Sequence, residues 1–207
     1  MRFCIGVPRP RGDFQPERDG WTRFREPTML VFWLWALPVA AMTLVGLLVA
    51  IGSVGDASAR IVIRTRDVTL PQIALAAFLI VLAFFAVLVI HEAIHLVMHP
   101  QQGRSQDSVV GVWPQAFVFY ASYDNEISRN RFLVMVAAPF VLLSVCPVLG
   151  FWITGKVILW LVFVVLVNGI GSCFDLLVLG MVLAQVPSKT LIRNNGWDTY
   201  WKPRASA

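Results

Sequence analysis

The chain has 207 residues, of which 57% are hydrophobic and only 14% charged, with a net charge of +5. Its mean hydropathy of +0.71 lies far from that of soluble domains, in which about a quarter of the residues are charged, so a water-soluble globule is excluded and an integral membrane protein is expected. The positive charge does not point to nucleic acid, because Lys and Arg fall outside the apolar stretches, as membrane topology requires.

Residues 1–28 contain six Arg and lack the short apolar core of a signal peptide; they read as a flexible basic cytoplasmic tail. Four stretches then reach the roughly 20 apolar residues that a bilayer crossing needs: Met29–Ile51, Leu70–Met98, Phe132–Ile153 and Val157–Val186, none with a Lys or Arg. Residues 29–186 are therefore expected as a four-helix membrane domain, and 187–207 as a cytoplasmic C-terminal tail. Pro38, Pro139 and Pro147 should kink their helices unless neighbours satisfy the freed carbonyls. Gly155-Lys156 leaves room only for a tight turn, so the third and fourth spans should be antiparallel neighbours. Of the 17 Lys and Arg, 13 lie in the two termini and the 99–131 loop, which places both termini in the cytoplasm of a multi-pass protein of the cell membrane. Trp33 and Trp35 on one side, and Trp152 and Trp160 on the other, suit interfacial belts.

In the 99–131 loop, the β-rich runs Ser108–Val112 and Gln115–Ala121 flank Trp113-Pro114 and predict a short hairpin. Two readings stay open. The hairpin caps helix ends, or its edge holds an extended peptide by β-augmentation, with Phe117 and Phe119 touching the substrate. The expected fold class is an all-α membrane protein, with about four transmembrane helices and this hairpin between the second and third. Cys4, Cys146 and Cys173 make no C-x-x-C pair and no disulfide framework.

The spans carry few polar side chains: His91, Glu92, His95 and Asp175 are ionisable, and Asn168 is the notable neutral one. A charge at the bilayer centre costs about 2.5–3.5 kcal/mol on insertion scales, so these residues are functional candidates. His91, Glu92 and His95 spell H-E-x-x-H, which puts both imidazoles on one helix face a turn apart. Catalytic zinc takes three protein ligands and a water: His91, His95 and Asp175 would bind one Zn2+, and Glu92 would act as general base on its water. His99 lies about 12 Å along the helix axis from His91 and is expected as an interfacial or capping histidine instead. Asn168 and Asp175, seven apart, should share a face with Ser172 between them, while Gly169 and Gly171 thin that helix for the H-E-x-x-H helix. A non-enzymatic metal binder or transporter is the competing class; transport favours ligands spread along a path. Haem is set aside because all three His lie on one helix.

The chain resembles the integral-membrane zinc peptidases related to site-2 protease, and is more similar still to a family of small four-span membrane proteins described as putative zincin peptidases. The resemblance covers roughly residues 70–195 and rests on H-E-A-I-H at 91–95, the hairpin ending in Tyr120, Arg131-Phe132-Leu133, Ala138-Pro139, and Asn168…Gly171-Ser172…Asp175. It implies zinc on His91, His95 and Asp175, Glu92 as catalytic base, Asn168 assisting, and a membrane-embedded or juxtamembrane peptide as substrate. The site-2 pattern sets Pro before its Asp and Gly after it, where this chain has Phe174 and Leu176.

Overall fold

A computed structural model describes residues 1–55, 69–116 and 118–204. Phe117 and the loop arginines Arg60, Arg64 and Arg66 lie outside the described residues. The first apolar stretch is helix α1 (Met29–Gly52) and the second is α2 (Leu70–Met98). The Thr69 backbone N–H opens α2 by donating to the Gln72 side chain at 2.9 Å, with Pro71 in the first turn, where its missing N–H costs nothing. The helix stops at His99, whose extended backbone precedes Pro100.

The third stretch is continuous but irregular: α3 (Arg129–Phe140), a π-helical turn (Val141–Val145) and α4 (Cys146–Thr154). The irregularity sits between Pro139 and Pro147, each of which lacks the N–H that would close a helical bond. The fourth stretch, expected as one helix, is two: α5 (Leu159–Gly171) and α6 (Cys173–Gln185) are bent by 48° at Ser172. Three helices are thus long and apolar enough to cross a membrane, and a fourth if the bent pair is one span. Gly169 faces α1 and not α2, because a Cβ there would meet Leu47; the small residue lets α1 and α5 approach closely.

The chain is mostly helical yet not all-α, since seven short strands form two sheets among the described residues. β1 (Arg2–Ile5) runs parallel to β3 (Ser108–Trp113), which pairs antiparallel with β4 (Val118–Tyr123), so the expected hairpin is present and gains a third strand. β2 (Thr22–Arg23), β7 (Asp198–Pro203), β6 (Thr190–Asn195) and β5 (Ile127–Ser128) form the second sheet in that order. Segments 1–28 and 187–204, read from sequence as tails, are built into these sheets. Phe14, Trp21 and Phe24 are buried, Arg11 pairs with Asp107 at 2.6 Å, and Arg193 lies over the Phe14 ring. The expected flexible basic tail is instead ordered, since its three buried aromatics give the segment something to fold around.

Both sheets gather at one end of the helices. There Phe24, Tyr123, Ile127, Phe132, Met135, Val182 and Ile192 share a core. At the other end the helices are joined more simply: the Trp152 indole N–H donates to Ala50 O at 2.8 Å, and Gly155 closes α4 in the left-handed region.

Candidate metal centre

His91 and His95 lie on the buried face of α2, in the half nearer the sheets. Each ring is held from behind. The His95 Nδ1 lies 2.9 Å from the Met135 backbone carbonyl, which can only accept, so the proton is on Nδ1. That carbonyl is available because Pro139, four residues on, has no N–H to bond it. The His91 Nδ1 lies 2.9 Å from the Asn168 Oδ1. Asn168 is oriented in turn, since its Nδ2 donates to Pro139 O at 3.1 Å and to Ser144 Oγ at 2.8 Å. Ser144 belongs to the π-turn and donates to Val165 O at 3.0 Å. An Asn fixed this way presents only an acceptor to His91, so that ring also carries its proton on Nδ1.

With both protons behind, the two Nε2 atoms face forward as bare lone pairs. They are 3.2 Å apart, and Asp175 closes the triangle, with Oδ2 at 3.0 Å from His91 Nε2 and Oδ1 at 3.4 Å from His95 Nε2. Asp175 comes from the first turn of α6, where the helix dipole favours a carboxylate. Three donor atoms without a proton among them repel one another unless a cation sits between them. Tetrahedral zinc, with bonds of about 2.0–2.1 Å, sets its ligand atoms about 3.3–3.4 Å apart, and the contacts of the two ring nitrogens with each other and with the Asp175 carboxylate, at 3.0–3.4 Å, are of that order. Among the described residues, His91, His95 and Asp175 could therefore hold a metal ion, and their chemistry and spacing fit zinc.

The 48° bend explains how two residues seven apart both serve His91. In a straight helix they would be separated by about 10.5 Å along the axis; here Asn168 lies in the last turn of α5 and Asp175 in the first turn of α6, so they flank one imidazole. Asn168 is 1% exposed and its side-chain atoms are committed to His91, Pro139 and Ser144. It stands behind the ring and does not line the cavity, so the assistance that the resemblance implied for it takes the form of positioning His91.

Glu92 lines the cavity with His91, His95 and Asp175. Its Oε2 is buried and has no partner among the described residues. The cavity, about 310 Å3, runs from the triangle to the sheets and is walled by Val118–Tyr123 of β4, including Phe119. Its remaining wall includes Pro8, Phe24, Glu26 and Pro27, residues that a tail reading could not supply. Burial pushes the Glu26 carboxyl above the usual carboxylate range, against the hydrogen bond to Thr199. His99, also on the wall, is not a member of the triangle; its Nδ1 lies 3.2 Å from Ser108 Oγ. Burial, reinforced by the neighbouring His95 and Arg131, lowers its pKa to about 4, so it is neutral at ordinary pH.

Residues 84–191, just over half of the chain, match the family described as putative zincin peptidase. No curated protein and no solved structure matches the chain.

Proposed function

The chain belongs to the putative zincin peptidase family, and from that membership we propose that it is a zinc-dependent intramembrane metallopeptidase. It hydrolyses a peptide bond of a membrane-embedded or juxtamembrane substrate. The observation that carries this reading is the triangle of proton-free donor atoms with the unpartnered Glu92 oxygen beside it at one cavity. His91, His95 and Asp175 hold the ion, and zinc bound there supplies Lewis-acid polarisation and makes water more acidic. Glu92 accepts the proton of the attacking water at Oε2 and delivers it to the amine nitrogen as the C–N bond breaks. Met135 O and Asn168 hold the two imidazoles in the tautomer that leaves Nε2 free.

Among the described residues β4 pairs with β3 along one edge, and its other side borders the cavity. An extended peptide laid along that edge would pass Phe119 and Glu92, a mode in which main-chain bonds supply affinity. The apolar helices support residence in the cell membrane, and the concentration of 13 of the 17 Lys and Arg in the sheet-bearing segments supports a cytoplasmic placement of that end and of both termini.

The test is metal content together with hydrolysis of a peptide library by the full-length protein in detergent. Wild type and Glu92→Gln should both carry one zinc, while His91→Ala and Asp175→Ala lose it. Glu92→Gln should cleave nothing that wild type cleaves. Full hydrolysis by Glu92→Gln would sink the general-base role, and zinc retained in Asp175→Ala would overturn the ligand set.

A further inference from the structure

Where α2 ends, the chain turns sharply through Pro100–Gly103, with Gln101 and Gln102 both in the left-handed region (φ 56° and 54°), and reaches Arg104. α3 begins close by, and an open groove lies between the two. Arg104, Arg131, Asn130 and both glutamines line it together with Val97 and Val134, and among the described residues no Asp or Glu contributes. The Arg104 guanidinium makes no hydrogen bond or ion pair with any described residue. Among the described residues the Arg131 guanidinium donates one hydrogen bond, to Met98 O at 3.4 Å. Asn130 and Arg131 sit in the first turn of α3, where Ser128 Oγ caps the Arg131 N–H and the helix dipole still favours negative charge nearby.

An independent sign comes from His99. It is 1% exposed, belongs to the wall of this groove, and has an Nε2 with no partner among the described residues. The Ser108 hydroxyl facing Nδ1 can donate or accept, so Nε2–H is available as a donor. A buried ring nitrogen and two guanidiniums without a carboxylate lack the same complement, an oxyanion with several acceptor atoms.

We propose that this groove is a binding site for a phosphate-bearing anion, held by Arg104, Arg131 and His99. The phosphate could belong to a phospholipid headgroup or to free phosphate. The exposed Val97 and Val134 beside the cationic side (58% and 54% exposed) would suit the acyl region of a lipid. The site shares His99 with the wall of the metal cavity, so an occupant would lie one helical turn from His95.

The experiment uses the full-length protein and does not depend on peptidase activity, so its failure and that of the peptidase reading are separable. Native mass spectrometry after reconstitution in equimolar phosphatidylglycerol and phosphatidylcholine should show selective retention of phosphatidylglycerol. Arg104→Gln, which removes no hydrogen bond or ion pair to a described residue, should weaken that retention by about tenfold, the scale of one lost charge-assisted bond, and Arg104→Gln with Arg131→Gln should abolish it. Arg131→Lys serves as the folded, charge-keeping control. A parallel titration with inorganic phosphate in detergent identifies the source: saturable, Arg104-dependent binding there without lipid selectivity supports a free-phosphate site. Equal retention of both lipids together with no Arg104-dependent phosphate binding would overturn the proposal.

Discussion

The two halves of α2 have similar apolar composition and opposite surroundings. From Leu70 to Phe85 nearly every large side chain faces outward, Leu70, Ile73, Leu75, Phe78 and Ile80 among them, whereas beyond Val87 the buried positions are His91 and His95. The outward half needs nothing from its neighbours beyond a hydrophobic medium. The inward half places polar groups where α3, α5 and α6 must answer each one: Met135 O for His95, Asn168 for His91, and Asp175 for both. What separates the halves is partner supply, and substitutions should therefore behave differently in each.

The largest effect should follow removal of an inward imidazole. His95→Ala is expected to lower zinc affinity by at least about a hundredfold, beyond the range of losses seen for supporting groups, as measured by competition with a chromophoric chelator. Next is a residue that touches no metal. Asn168→Ala should weaken zinc by about 10- to 100-fold, the usual size of such supporting contacts, while thermal unfolding of the metal-free protein moves far less; an unchanged affinity would mean that Asn168 is only helix–helix glue. A packing contrast comes third. Val87→Ala, on the buried side, should cost about 1–2 kcal/mol by leaving a cavity, and Leu79→Ala, at 52% exposure, should stay within about 0.5 kcal/mol; equal costs in denaturant unfolding would erase the distinction between the halves.

The smallest effect concerns the clamp that holds segment 1–28 over the inward half. Burial pushes the Asp107 carboxyl up, but hydrogen bonds from Asn125 and Arg11 outweigh it, and its pKa is lowered. A depressed carboxyl adds stability above its unfolded pKa of about 3.9, and that stability is lost as pH falls through the folded value. Acidification below about pH 4 should thus lower the hydrogen-exchange protection factors of residues 1–28, and Asp107→Asn should lower them already at neutral pH. Exchange that ignores both changes would remove the clamp.

Much of the centre was legible because its chemistry is sparse: in spans of Leu, Val and Ile, the triad of His91, His95 and Asp175 stands out by type alone. The helical stretches were legible for the same reason, since length and apolarity nearly determine a span. Less legible were features set by geometry between segments. The bend at Ser172 and the π-turn at Val141–Val145 depend on what packs alongside, and periodicity within one helix does not carry that information. The order of residues 1–28 was hidden by their arginines, although Phe14, Trp21 and Phe24 at the intervals of a folded segment were a usable signal. Met135 was hidden differently, because the functional atom is its backbone oxygen. Counting four residues back from Pro139 would have found it.

That count has a consequence for how such a centre can change over time. Pro139 has no ionisable or coordinating group, yet by withholding one N–H it leaves the Met135 oxygen to His95. Restoring an amide at position 139 would let the helix reclaim that oxygen and loosen the ring without any alteration in the ligands themselves. A lineage could therefore retune or silence the centre while H-E-x-x-H and Asp175 stay intact, so an unchanged signature alone would not certify a working enzyme.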